Sequence, residues 1–199
     1  MVRKIAPLFL FLTLAWAQTL NCDATEVRFD FAAPSGPVQV VAPDGNTYYR
    51  ASLPAYLAFL DALPSSGRFL PTQVVGASSG LYVTCTVTTP NRGGGGGTLC
   101  GAGTTRCLRL SVTGTLPAPL SNNRVYVLGQ VVSGNATSHF PGFASLSSVL
   151  AYDGGGLFSI ARNTTATLRI WLLVELLGTD AFTGGYSGTL TFTYRLQAD

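Results

Sequence analysis

Apolar and polar positions alternate with a period of two along most of this chain. Val27, Phe29 and Phe31 are separated by Arg28 and Asp30, which predicts a short strand with one wet face. Val38 and Val40 follow, between Pro37 and the turn-like Pro43-Asp44-Gly45-Asn46. Leu81, Val83, Cys85 and Val87 alternate with Tyr82, Thr84, Thr86 and Thr88. Cys85 falls on the apolar parity, so its sulfur is expected to face the core, an orientation that suits a bridge between layers. Leu108, Leu110 and Val112 alternate with Arg109, Ser111 and Thr113, and the stretches 125–132 and 157–161 add two shorter candidates.

The last two segments carry the strongest patterns. In 167–177, Leu168, Ile170, Leu172, Val174 and Leu176 share one face, and Arg169, Trp171 and Glu175 share the other. A helix is the competing reading of this run, but Thr164 and Thr165 before it and Gly178 after it favour a strand. In 189–197, Leu190, Phe192, Tyr194 and Leu196 alternate with Thr191, Thr193 and Arg195. One helical signal interrupts the pattern. Ser52 is placed to cap a helix with Pro54 in its first turn; Tyr56, Leu57, Phe59, Leu60 and Leu63 form its apolar stripe, and Pro64 ends it. Eight or so strands with turn signals between them and one short helix predict an all-β fold, a single β-sandwich domain over 18–199.

The first residues read as a signal peptide over 1–17. Arg3 and Lys4 form the positive region, 5–14 the apolar stretch, and Ala15-Trp16-Ala17 the cleavage site, which leaves Gln18 as the first mature residue. That apolar run is about half of the ~20 residues a membrane span needs. The expectation is therefore an exported chain, secreted or displayed at the cell surface after transit through a periplasm, with no transmembrane anchor after cleavage. Without Arg3 and Lys4 the balance is ten basic residues against nine acidic, so there is no footprint for nucleic acid and no polybasic membrane patch. All four cysteines, Cys22, Cys85, Cys100 and Cys107, lie after the cleavage site, and an even count in an exported chain predicts two disulfides. Three connectivities are possible. Cys22–Cys85 with Cys100–Cys107 is favoured, the second being a local closure at the end of the glycine-rich excursion Gly93 to Gly97.

Candidate chemistry is sparse. Gly76-Ala77-Ser78-Ser79-Gly80 matches a nucleophile elbow, but that geometry needs a helix after the serine. The residues that follow, Leu81-Tyr82-Val83-Thr84, are strand formers, so the motif reads as a turn. His139 is the one imidazole, in a loop before Phe140-Pro141-Gly142, with no partner assigned by sequence. The acids are scattered singly, no cofactor motif is present, and Cys100-x6-Cys107 has the wrong spacing for zinc, with only His139 to join it. Asn135-Ala136-Thr137 and Asn163-Thr164-Thr165 are glycosylation sequons. These observations point away from an enzyme and from any bound cofactor or metal.

Three features converge on a family. They are the export signal, a cysteine soon after the mature start leading into an alternating strand (Cys22 to Phe31), and the ending Gly184-Gly185-Tyr186-Ser187-Gly188-Thr189-Leu190-Thr191-Phe192-Thr193-Tyr194. That ending resembles the last strand of chaperone–usher pilus subunits, in particular the spore coat U-like subunits of archaic pili. The strand Gly80 to Cys85 resembles the place where such subunits put their second cysteine. The resemblance covers the two ends and the middle strand, about a third of the chain.

It implies an Ig- or pilin-like sandwich that is incomplete, whose missing strand is supplied by a periplasmic chaperone, with its usher, and then by a neighbouring subunit. Leu190, Phe192, Tyr194 and Leu196 would line that partner-strand groove, and 56–63 and 93–97 would be insertions. This chain departs from the pattern at its start. Only Gln18 to Asn21 precede Cys22, a span of at most ~14 Å, too short to donate a strand. The expected function is structural or adhesive, with assembly by strand addition at the C-terminal strand. The alternative is a free-standing carbohydrate- or surface-binding module, with Tyr48, Tyr49, Trp171 or Tyr186 as an aromatic platform in place of ordinary packing.

Overall fold

The computed structural model describes residues 18–91, 100, 105–180, 182 and 185–197. The leader and the excursion Gly93 to Gly97 lie outside the described residues. In chain order the first strands are β1 (Thr19–Cys22), β2 (Glu26–Asp30), β3 (Gln39–Val41) and β4 (Thr47–Arg50). Helix α1 (Leu53–Ala62) follows, then β5 (Ser66–Leu70), β6 (Gln73–Val75), β7 (Tyr82–Thr88), β8 (Thr105–Thr113) and β9 (Val125–Ser133). The remainder comprises β10 (Ala136–Ser138), β11 (Ala144–Ser145), α2 (Leu146–Ala151), β12 (Gly156–Ala161), β13 (Thr165–Leu177) and β14 (Ser187–Gln197).

These strands form two packed sheets. The first has eight strands in the order β1-β7-β13-β5-β4-β3, with β9 on the opposite flank of β13 and β11 beyond β9. Strands β7 and β5 lie end to end along one edge of β13. Val174 pairs with Phe69 on that edge and with Val125 of β9 on the other. The second sheet has six strands in the order β10-β12-β8-β14-β2-β6. The expected alternations meet between the sheets: Val27, Phe29, Val83, Cys85, Leu108, Leu110, Leu168, Ile170, Leu190 and Phe192 all belong to one buried cluster.

The run 167–177 is a strand, and both of its faces are covered. Leu168 to Leu176 on even positions enter the main core, whereas Trp171 and Leu173 join a second cluster with Ala42, Leu70 and Leu128 on the outer side. Val40, Tyr48 and Phe143 pack over that second cluster, which leaves Trp171 only 5% exposed. A strand buried on both faces loses the alternation that distinguishes it from a buried helix, so the sequence left the two readings close.

Both disulfides pair as expected, Cys22 with Cys85 and Cys100 with Cys107. The first, however, is not a bridge between layers. Strand β1 is hydrogen-bonded to β7 with Cys22 directly opposite Cys85, so the bond staples neighbouring strands of one sheet. After Cys22 the chain crosses through Asp23, Ala24 and Thr25 to enter the second sheet as β2. The second disulfide rests against Gly156, where an added Cβ would lie 3.2 Å from both sulfurs, so a side chain at this position would crowd the bridge.

Helix α1 begins where expected, with the Ser52 hydroxyl accepting from the Ala55 N–H at 3.3 Å and Pro54 in the first turn. Its stripe is narrower than expected. Ala55, Tyr56 and Phe59 are buried, but Leu57 is 50% and Leu63 86% exposed. Leu63 ends the helix in a left-handed conformation (φ 48°), which turns its side chain away from the core. Strands β1, β4, β5, β6, β10 and β11 and helix α2 were not expected. All are short, and α2 has six residues, too few for a helical period to register.

Candidate functional site

The C-terminal strand β14 is paired differently along its two halves. Ser187 to Thr191 pair with Asp30 to Glu26 of β2 on one edge. Thr191 to Gln197 pair with Thr113 to Cys107 of β8 on the other edge, so the two ladders overlap only at Thr191. The last backbone bond on the β2 side is Phe192 N–H to the Thr25 carbonyl, at 2.7 Å. Residues two apart in an antiparallel strand present their backbone groups to the same edge. Tyr194 and Leu196 therefore point theirs past the end of β2, where the chain has left this sheet to cross toward β1. Among the described residues the Gln18 side chain reaches this edge: its Nε2 donates to the Leu196 carbonyl at 3.2 Å, while its Oε1 accepts from Arg106 Nε at 3.3 Å.

Between this edge and β1 lies a groove of about 300 Å³, lined by Leu20, Cys22, Thr25, Phe192 and Tyr194 among others. Leu20, Cys22 and Tyr194 are half-buried against the main core and form its inner side, and Asn21 and Thr193 give it polar lining as well. The four residues expected to line a partner groove thus divide. Leu190 pairs opposite Val27 and is fully buried on the closed half. Phe192 is buried at the junction, and Tyr194 and Leu196 lie on the open half.

The Tyr194 hydroxyl is buried and has no hydrogen-bond partner among the described residues. Burial pushes its phenol well above the ordinary range and the Asp23 carboxylate adds to the shift, so the group is a neutral donor. The neighbouring Asp23 is itself engaged, with Oδ1 accepting from Thr84 N–H at 2.8 Å. A larger recess of about 440 Å³ lies beside β9 and β10, lined by residues such as Leu128, Gln130, Thr137 and Pro141, and it has no titratable side chain.

The other candidates are placed as follows. Gly76 to Gly80 form the turn between β6 and β7, with Ser79 Oγ accepting from the N–H groups of Leu81 and Tyr82. A strand follows, not the helix an elbow requires. His139 has partners that sequence did not reveal: Nε2 lies 2.7 Å from Ser159 Oγ of β12 and Nδ1 3.2 Å from the Tyr152 hydroxyl at the end of α2. They come from two later elements, so no local pattern signals them. Burial holds the imidazole below its ordinary range, opposed by Asp153. Among the described residues no carboxylate bonds the ring; Asp153 is paired with Arg109 at 2.7 Å.

Asp153 also lies 3.9 Å from Cys107 Sγ, but that sulfur is bonded to Cys100 and offers no thiolate to a metal. Of the aromatics named for a platform, Tyr49 and Tyr186 are exposed. Trp171 is buried, Tyr48 bonds Asp44 and packs edge-on against Phe143, and Tyr186 stacks on Phe182 in a separate cluster with Tyr56. The sequon residues Asn135 and Asn163 are both exposed, in turns that meet where Asn135 N–H donates to Thr164 Oγ1.

No family model matches this chain, and no curated protein or solved structure matches it either. Its two disulfides fit an oxidising, extracytoplasmic compartment. Among the described residues no helix is long and apolar enough to cross a membrane.

Proposed function

We propose that this chain is an exported, non-enzymatic structural or adhesive β-sandwich that accepts an extended strand from another protein along residues 192–197. The observation that carries the reading is the half-paired C-terminal strand: its first half is closed by β2, and on that edge its second half is hydrogen-bonded to no strand among the described residues and faces a groove whose far wall is β1. An unpaired edge over an apolar floor is the physical requirement for strand addition, since backbone bonds supply affinity and inward side chains supply selectivity. The resemblance to spore coat U-like pilus subunits supports the same reading, with a periplasmic chaperone and usher or neighbouring subunits as partners at the cell surface. In that role the chain accepts and does not donate from its own β1, because Thr19 to Cys22 are already paired with Thr88 to Cys85.

The test is to purify the mature chain and titrate it with a strand peptide of alternating Val and Thr. The expected results are self-association of the free chain and conversion by the peptide to a monomer with a raised Tm. A stable monomer indifferent to the peptide would contradict strand addition and favour the free-standing surface-binding module.

A further inference from the structure

Gln18 sits on the edge of β14 that an added strand would use. Its Nε2 donates to the Leu196 carbonyl at 3.2 Å and its Oε1 accepts from Arg106 Nε at 3.3 Å, so one exposed amide ties the residue before β1 to both β14 and β8. A strand pairing with the open half of β14 needs the Leu196 carbonyl as an acceptor, and Gln18 occupies it. Gln18 is also the residue that cleavage after Ala15-Trp16-Ala17 leaves first. A glutamine at the start of a chain can undergo a reaction closed to one inside it, because its α-amino nitrogen is free to attack its own side-chain Cδ. The N–Cδ bond forms, the Cδ–Nε2 bond breaks, and Nε2 leaves as ammonia with a proton from the amine. No oxidant, reductant or second substrate is consumed. The departing atom is the donor to Leu196, so the lactam product cannot keep that bond. Building on the strand-acceptor reading and on cleavage before Gln18, we infer that Gln18 is a latch across the acceptor edge, and that its cyclisation to pyroglutamate is the modification that opens it. The exposure of Gln18 leaves its amine accessible to a cyclising enzyme. Uncyclised, the side chain has to be displaced before a strand can pair at Leu196. Cyclised, it offers no such competitor.

The test prepares the mature chain with Gln18 first, by cleaving an N-terminal fusion, and converts half of it with a glutaminyl cyclase, the loss of one ammonia being read by intact mass. Both forms are titrated calorimetrically with the peptide of alternating Val and Thr. The cyclised form is expected to bind about fivefold tighter, the value of one net hydrogen bond that no longer has to be broken. Gln18→Ala keeps the amine but has no side-chain donor. It should match the cyclised form and be unaffected by the cyclase, which separates loss of the latch from loss of the terminal charge. The chain secreted with its own leader should carry pyroglutamate at residue 18. Equal peptide binding by the cyclised and uncyclised forms, or an alanine variant that binds like the uncyclised one, would overturn the latch. A secreted chain that starts elsewhere, or that retains its glutamine amide, would overturn the modification. Each of these results leaves strand addition standing. Failure of every form to bind the peptide would instead overturn the reading on which the inference rests.

Discussion

The two halves of β14 continue one another in sequence pattern but differ in what surrounds them. Leu190, in the first half, has β2 beside it and is fully buried. Leu196, in the second, has the same parity, but among the described residues no strand pairs with it on that edge, where the side chain of Gln18 bonds its carbonyl. The difference arises upstream, where β2 begins at Glu26 because the chain spends Asp23 to Thr25 crossing from the other sheet. An edge is therefore opened by the place where its neighbour changes sheet, not by anything in the edge strand itself.

Three perturbations sharpen or break this contrast. The largest effect is expected from the disulfides. Cys22–Cys85 spans 63 residues, and chain entropy predicts a loss of about 4 kcal/mol for Cys22→Ala with Cys85→Ala. Cys100–Cys107 spans 7, for which about 2.5 kcal/mol is expected. Denaturant unfolding measures both. Only the first pair fastens β1, one wall of the groove, so only its removal should also weaken peptide binding. Next in size are truncations along β14 itself. Leu190→Ala should cost about 3 kcal/mol and Leu196→Ala about 1 kcal/mol by the same method. Equal costs would mean that the second half is as enclosed as the first.

The smallest effect is a pH dependence located away from the strand. Burial lowers the affinity of His139 for a proton in the folded chain. The unfolded chain therefore takes up that proton first as pH falls through about 6.5, and stability declines from neutral pH downward. His139→Gln should flatten that part of a stability–pH curve. It should leave peptide binding unchanged, since His139 bonds Ser159 and Tyr152 and not the groove.

Much of the framework was legible in the sequence, and the reason differs by element. Strands β2, β7, β8 and β14 have one face in the core and one toward solvent, so their alternation is preserved. Strand β13 was ambiguous because Trp171 and Leu173 are covered by the Tyr48 and Phe143 side chains, which come from distant parts of the chain. The short strands β4, β5 and β6 hold their places by pairing, with too few residues for a pattern. The groove had only a partial signature. The alternation of 190–196 marked the strand and its inward residues, but where pairing stops depends on β2.

Amide hydrogen exchange of the mature chain, read residue by residue by NMR, tests the open edge most directly. In the free chain Tyr194 and Leu196 should exchange about 100-fold faster than Phe192, Thr193 and Arg195, whose amides are held by Thr25 and β8. A bound strand peptide should remove that difference. Protection of Tyr194 and Leu196 equal to that of Phe192 in the free chain would contradict the account, because the edge would then be closed by the chain itself.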